Sequence, residues 1–180
     1  MKLTTITLLA ASLFSTTFVG SSPTNVARTA QTCGNPSDAV PFLRAFDPST
    51  SDHFYTTDLN EMNNAVATGT YNREQNAARV FTTQELSTVP FYRLFNIAVW
   101  DHFYTTSAAD RDNAISNGGY VSEGIAAYIY TNPDCGGVPL FRLFNPATGD
   151  HFYTMSAGEK DFAVSGGYVE EGIAGYTLSP

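Results

Sequence analysis

The sequence predicts an all-β domain with short helices, built from three repeats of about 49 residues. The phrase Asp-His-Phe-Tyr-Thr occurs three times, beginning at Asp52, Asp101 and Asp150. Aromatic residues make up 13% of the chain, and many of them belong to these phrases. The same interval separates further members of the pattern, which are Arg44, Arg93 and Arg142, then His53, His102 and His151, then Tyr55, Tyr104 and Tyr153.

Each repeat divides into a hairpin, a helix and a final extended segment. In the third repeat, residues 139–144 and 150–154 have the aromatic composition of strands, and residues 145–149 between them have the composition of a turn. A capping residue followed three positions later by an acid then predicts a short helix, which Gly-Gly ends. These pairs are Asp58 with Glu61, Ser107 with Asp110, and Ser156 with Glu159.

One such unit cannot bury both faces of its hairpin, so the three repeats must share a core. We expect one domain over residues 39–180, with copies at 39–87, 88–136 and 137–180. A pseudo-threefold β-trefoil-like body is the leading prediction. A β-prism or a small propeller-like body is the alternative. A linear solenoid is disfavoured, because three units would leave two uncapped ends.

The N-terminus predicts export. Lys2 precedes an uncharged apolar run, which is typical of a signal peptide over residues 1–20 with cleavage between 20 and 30. Residues 21–38 form a lead-in segment that contains Cys33, and the only other cysteine is Cys135. In an oxidising compartment the two are expected to form a disulfide, in a secreted, extracellular protein without a membrane span.

The charge excludes some partners. The chain carries a net charge of -8, which becomes -10 if residues 1–30 are removed, because Lys2 and Arg28 are lost and no acid is. Binding to nucleic acid needs a basic surface, so no nucleic-acid partner is expected.

The phrases "VPLFRLFNPATGDHFYTMS" and "GGYVEEGIAGYTL" resemble a family of secreted tandem repeats of unknown function. Such repeats occur in fungal secreted proteins and beside bacterial exported hydrolases. The resemblance covers residues 39–180 and implies a lectin-like role at carbohydrates or cell surfaces, with no catalytic residue to carry over. The first copy departs from the pattern, with Gln75-Asn76 in place of Gly124-Ile125 and Gly172-Ile173.

The repeated polar residues have a structural and a functional interpretation. An Arg–Asp or Arg–Glu bridge would stabilise each hairpin. In the functional interpretation the same groups hold sugar hydroxyls beside an aromatic ring. The structural role is favoured for Arg44, Arg93, Arg142, Asp52, Asp101, Asp150, Glu74, Glu123 and Glu171.

Strand alternation favours the histidines and tyrosines as the outward pair. The apolar turn at Trp100 is a candidate contact for a sugar or a protein, or folds back on its neighbour. The candidate ligand-binding residues are therefore His102, Tyr104, Trp100, His151, Tyr153, His53 and Tyr55.

The function predicted first is a glycan- or cell-wall-polysaccharide-binding protein with two or three weak sites. The alternative is a protein-interaction module that uses the divergent turn around Trp100, and the third hypothesis is a small hydrolase. We expect no catalytic residues and no cofactor. We also expect no metal, because single histidines 49 residues apart lack the close ligand spacing of a zinc site.

Overall fold

The computed structural model describes residues 33–180, which form mainly β-strands with three short α-helices. The prediction of a β fold with short helices is confirmed, while the trefoil and the exact threefold arrangement stay predictions. The expected signal peptide lies outside the described residues. None of the helices in residues 33–180 is long and apolar enough to cross a membrane.

The first repeat begins with a 3-10 turn at Pro36–Asp38 and ends in two short strands. Its elements are β1 (Val40–Asp47), β2 (Asp52–Thr56), α1 (Leu59–Thr68), β3 (Asn72–Arg73) and β4 (Ala78–Val80).

The other two repeats follow the same order, but each ends in one long strand. The second contains β5 (Thr88–Asn96), β6 (Asp101–Thr105), α2 (Ala108–Asn117) and β7 (Val121–Tyr130). After a 3-10 turn at Pro133–Cys135, the third contains β8 (Val138–Asn145), β9 (Asp150–Thr154), α3 (Ala157–Ser165) and β10 (Val169–Thr177).

All pairing between these strands is antiparallel. One sheet has the order β2-β1-β3, with β4 also on β1, and the other has the order β6-β5-β7-β10-β8-β9. Isolated bridges between Arg79 and Leu178 and between Phe81 and Tyr128 connect the end of the first repeat to the other two. The hairpins share one register, in which Arg44, Arg93 and Arg142 lie opposite Tyr55, Tyr104 and Tyr153.

The helices begin where the sequence predicts. The side chains of Asp58, Ser107 and Ser156 each accept a hydrogen bond from the backbone N–H three residues later. Gly118 and Gly166 follow the last residues of α2 and α3, as expected.

The missing glycine of the first repeat explains its broken final strand. Gly124 and Gly172 have φ of 91° and 108° at register shifts within β7 and β10. A positive φ at such a bulge favours glycine. Gln75, at the matching position, does not adopt a positive φ, and the first repeat has no strand between β3 and β4.

The main core lies where the three hairpins meet. Phe42, Phe91 and Leu140, which occupy matching positions of the three repeats, are fully buried against one another and against three tyrosines. Smaller clusters lie under α1 and α3. The predicted disulfide is present, since Cys33 is bonded to Cys135 across 102 residues of sequence.

Candidate functional site

Three tyrosines form a closed ring of hydrogen bonds at the centre of the hairpins. The Tyr104 hydroxyl donates to the carbonyl oxygen of Tyr55 and accepts from the N–H of Tyr55, both at 2.8 Å. Tyr153 bonds to Tyr104 in the same way at 2.7 and 2.8 Å, and Tyr55 bonds to Tyr153 at 2.9 and 2.8 Å. Each hydroxyl thus satisfies both backbone groups of the corresponding residue in another repeat.

This ring corrects the expectation that the tyrosines point outward. Tyr55, Tyr104 and Tyr153 are 0% exposed, so none of them is open to a ligand. Alternation along a strand separates two faces but does not say that either one is solvated. Here β2, β6 and β9 are buried on both faces, because each hairpin packs between the other two.

The aspartates of the repeated phrase bind histidines of the following repeat. Asp52 accepts hydrogen bonds from the backbone N–H of His102 at 2.9 Å and from its Nδ1 at 2.6 Å. Asp101 binds His151 in the same way at 2.7 and 2.6 Å. Asp150 binds His53 at 2.8 and 2.6 Å, so the last repeat contacts the first as the others contact each other.

A tyrosine hydroxyl gives each aspartate a third donor. Tyr71 donates to Asp52, Tyr120 to Asp101 at 2.5 Å, and Tyr168 to Asp150 at 2.5 Å. Burial, with the adjacent carboxylate, raises the pKa of Tyr71, Tyr120 and Tyr168 above the ordinary value. The alternative Arg–Asp bridge is not found at Asp52, Asp101 or Asp150, because these three carboxylates accept hydrogen bonds from His and Tyr instead.

The same carboxylates lie close together. One oxygen each of Asp52, Asp101 and Asp150 lies within 4.8 Å of the others. Among the described residues the converging ligand atoms therefore belong to aspartates rather than to histidines. Because every carboxylate accepts three hydrogen bonds from the protein, the cluster is explained by contacts between the repeats.

Two of the arginines are held between two glutamates. Arg44 lies 2.7 Å from Glu74 through Nε, and its Nη1 and Nη2 donate to Glu159 of the third repeat at 3.1 and 2.9 Å. Arg93 lies 2.8 Å from Glu123 and donates to Glu61 of the first repeat at 3.0 and 2.7 Å.

In each repeat the arginine lies beside a glutamate of its own repeat, since Nε of Arg142 is also 2.8 Å from Glu171. The sequence did not predict the second contact, between Arg44 or Arg93 and a glutamate of the preceding helix. Burial opposes the charged forms of Arg44 and Arg93, but the hydrogen bonds to Glu159 and Glu61 and the nearby negative charges raise the pKa of both. Glu61 and Glu159 were assigned only to helix capping from the sequence. The recurrence of an acid at one helix position in every repeat, with Asp110 in the second, was the available signal.

The histidines lie at the floor of grooves between repeats. His53 and His151 each lie between a phenylalanine of their own hairpin and one of the preceding repeat, with tilted rings whose centroids are 4.5–4.8 Å apart. All three histidines are buried, at 8–9% exposed, rather than pointing outward as expected. Nε2 of His151 lies 3.6 Å from Oε2 of Glu171. The groove beside His53 also contains Arg44, Phe152, Glu159, Phe162 and Tyr168. The groove beside His151 also contains Phe103, Asp110, Asn113, Tyr120, Arg142 and Glu171.

Trp100 lies in a separate cleft between the first and second repeats. Its side chain is 46% exposed, and its ring meets Phe95 edge-on at 5.9 Å. The cleft has a volume of about 410 Å³. Apart from Gly69, its other lining residues are polar or bear a hydroxyl, namely Asp47, Ser49, Thr50, Thr68, Thr70 and Tyr71.

Residues 41–178 match the model of one protein family, the Domain of unknown function (DUF5648). The chain belongs to this family. No curated protein and no solved structure matches the chain. The expected membership of a family of unknown function is confirmed, and the geometry described above is the basis for any functional proposal.

Proposed function

We propose that this DUF5648 protein is a secreted, non-catalytic glycan-binding module, and that the Trp100 cleft is its principal site. The observation that carries the proposal is an exposed indole in a cleft lined by residues that bear hydroxyl groups. Aromatic faces stack on the apolar faces of sugar rings, and such polar groups bind the sugar hydroxyls.

The backbone at Trp100 supports a role for its side chain. Its φ is 53°, and the matching positions in the other hairpins, Ser51 and Gly149, also have positive φ. A bulky residue is unfavourable in this conformation by about 1–2 kcal/mol, and glycine adopts it without strain. The tryptophan therefore stands where the turn favours a smaller residue.

The polar side of the cleft is held in place. Asp47 accepts hydrogen bonds from Ser49 and Thr70. Burial opposes ionisation of Asp47, but these hydrogen bonds outweigh it and lower its pKa. Asp47 is 2% exposed, so it orients these hydroxyl groups from beneath the cleft and does not itself meet a ligand. Oriented hydroxyl groups beside an indole are suited to a polyol ligand.

The His-lined grooves are the proposed weaker sites. His53 and His151 contribute their Nε2 edges, while their Nδ1 atoms are engaged with Asp150 and Asp101. His102 has the same arrangement with Asp52. Several weak sites on one chain would raise its avidity for a polysaccharide or cell wall.

The architecture that fits these contacts is a pseudo-threefold, trefoil-like ring. The Tyr and Asp–His contacts each join the third repeat to the first as they join the others. The Arg44–Glu159 contact also joins the third repeat to the first. The Cys33–Cys135 disulfide is of the kind found in exported proteins and supports secretion.

The test compares Trp100→Gly with Ile97→Ser in binding to a panel of soluble glycans and insoluble wall polysaccharides. Trp100→Gly installs the residue that the third hairpin carries at this position, so the fold should be retained. Ile97 is 70% exposed in the same turn and does not line the cleft. We expect glycan binding to be lost only in Trp100→Gly, and absence of binding by the wild type at millimolar concentration would refute the proposal.

A second candidate function is a protein contact through the same turn. Ile97, Val99 and Trp100 are all exposed, whereas the other two hairpins have polar or small residues and a proline here. Contiguous exposed apolar groups are typical of protein interfaces. In this case Ile97→Ser should weaken binding to a protein partner, while the glycan panel shows no response to either variant.

A further inference from the structure

The arginines of the three repeats are oriented alike. Arg44, Arg93 and Arg142 each lie over a phenylalanine of the preceding repeat at 5.2–5.3 Å from the ring centroid. Each also has a glutamate of its own repeat 2.7–2.8 Å from Nε. The guanidinium groups therefore present their Nη1 and Nη2 atoms to the preceding helix in the same way.

In two of the grooves a glutamate fills this position. Glu159 accepts from both Nη atoms of Arg44, and Glu61 accepts from both Nη atoms of Arg93. Such a bidentate pair is the strongest common arrangement of a guanidinium with a carboxylate. In these two grooves the paired Nη1 and Nη2 atoms of the arginine, here called its fork, bind a carboxylate.

In the third groove the fork is open. The helix residue there is Asp110, which is one methylene shorter, and its Oδ2 lies 3.9 Å from Nη1 of Arg142. Asp110 accepts a hydrogen bond from Thr105 at 3.2 Å, matching the bond from Thr154 to Glu159. The shorter side chain thus reaches its threonine but not its arginine, and no carboxylate in residues 33–180 accepts hydrogen bonds from both Nη atoms of Arg142.

The open fork faces a cavity. The groove has a volume of about 320 Å³, and the Arg142 side chain is 19% exposed, against 6% for Arg44 and 13% for Arg93. Oε2 of Glu171 lies 2.8 Å from Nε, and the Phe103 ring lies beneath the guanidinium group. A ligand would meet a preorganised donor pair, which lowers the entropic cost of binding.

We propose that the Arg142 groove binds a carboxylate of a ligand, in the position that Glu159 and Glu61 occupy in the other grooves. We infer a carboxylate because the same pair of Nη atoms binds a carboxylate in the other two grooves. That it belongs to a sugar, as in a uronic acid, rests on the glycan-binding function proposed above.

The charge of the groove sets the conditions of the test. Asp110 lies beside the site and carries the same negative charge as the ligand carboxylate. The chain is also acidic overall, so long-range attraction does not assist binding. At about 0.15 M salt the Debye length is about 8 Å, which screens the distant acids and leaves the short-range pair. Removing the local charge with Asp110→Asn should therefore strengthen binding.

The experiment uses calorimetric titration with oligogalacturonate, its neutral methyl ester and succinate. Asp110→Glu supplies the internal carboxylate and should weaken binding of the two acids at least about tenfold, as loss of a charge-assisted pair implies. The reciprocal variant, Glu159→Asp, should open the Arg44 fork and add a second acid-binding site. Thermal unfolding of each variant establishes that it is folded.

The outcomes separate this proposal from the glycan function. Equal binding of acid and ester, unchanged affinity in Asp110→Glu, or no binding of either acid by the wild type would overturn the carboxylate site. If the protein binds succinate but no oligosaccharide, and Asp110→Glu abolishes that binding, the carboxylate site is supported and a sugar ligand is refuted. Binding of both acid and ester that depends on Trp100 alone, and that is unchanged in Asp110→Glu, supports the glycan function and overturns the carboxylate site.

Discussion

The hydroxyl of Tyr55 donates a hydrogen bond to the carbonyl oxygen of Tyr153 and accepts one from its N–H, across 98 residues of sequence. One side-chain oxygen thereby satisfies both backbone groups of a fully buried residue. Buried backbone groups need partners, and strands at the centre of three hairpins cannot all find them in neighbouring strands. The tyrosine ring fills this need for all three repeats.

Removing one hydroxyl from the ring should be costly. Tyr104→Phe leaves the N–H and the carbonyl oxygen of Tyr55 without partners, at about 1–3 kcal/mol for each buried group. We expect the free energy of unfolding in urea to fall by about 2–4 kcal/mol. Tyr128→Phe, a partly buried tyrosine outside the ring, is the control and should change it by less than about 1 kcal/mol.

The buried tyrosines predict loss of stability at alkaline pH. Burial raises the pKa of Tyr55, Tyr104 and Tyr153 well above the ordinary value, and Tyr71, Tyr120 and Tyr168 are raised as well. The unfolded chain releases these protons near pH 10 while the folded chain keeps them, so stability is complete below pH ~10 and declines above it.

Each such tyrosine contributes a slope of up to about 1.4 kcal/mol per pH unit. Phenolate absorbance and circular dichroism, followed together above pH ~10, should show these tyrosines ionising only as the protein unfolds. Ionisation of more than four of the ten tyrosines in the folded protein would contradict the prediction.

The aspartates should stabilise the contact between repeats. In Asp101→Asn, an amide replaces a carboxylate that accepts from the N–H and Nδ1 of His151 and from Tyr120. The amide nitrogen cannot accept, so we expect the protein to lose about 3 kcal/mol or more. Chemical denaturation measures the loss, with the exposed Asp112→Asn as a control that should lie within about 0.5 kcal/mol of the wild type.

The disulfide should contribute to stability through the unfolded chain. Cys33 and Cys135 are 102 residues apart, and a loop of that length corresponds to about 4–5 kcal/mol in the chain-entropy model. The double variant Cys33→Ser/Cys135→Ser should unfold at correspondingly lower denaturant. If adding a reductant leaves the wild-type midpoint unchanged, the disulfide does not have this role.

Two glycines should respond in opposite directions to alanine. A Cβ on Gly175 would lie 2.5 Å from Cδ1 of Ile129 and 3.1 Å from the carbonyl oxygen of Tyr130, so Gly175→Ala should cost about 1–3 kcal/mol. A Cβ on Gly158, in the first turn of α3, meets nothing nearer than 3.7 Å, and the second repeat has Ala109 there. Gly158→Ala should raise the free energy of unfolding by up to about 1 kcal/mol, which a higher melting temperature would show.

Local features were predictable because their causes are local. The caps at Asp58, Ser107 and Ser156 depend on neighbouring backbone groups, and the hairpins depend on composition over a few residues. The family membership of residues 41–178 was equally accessible, because the repeated phrase is long. The outward placement of Tyr104 was wrong, because it assumed that one face of β6 meets solvent.

The candidate site was only partly predictable. Trp100 was singled out as an unusual residue in a turn, but its cleft comes from the first repeat packing beside it. Nothing in the sequence distinguished Asp110 from Glu159 as an acid of a capping box. Their difference appears only when the arginine of another repeat is placed opposite.

By itself the sequence determined that this protein has three repeated units, a helix in each, and two cysteines available for one disulfide. The tertiary structure decided which partner each repeated residue finds. Asp52 bonds to His102, Tyr55 to Tyr153, and Arg44 to Glu159, each pair belonging to different repeats. The physical reason is that a repeat specifies its own turns and caps through short-range contacts. Its buried polar groups are satisfied only across the interface with another copy, which spacing along the chain does not encode.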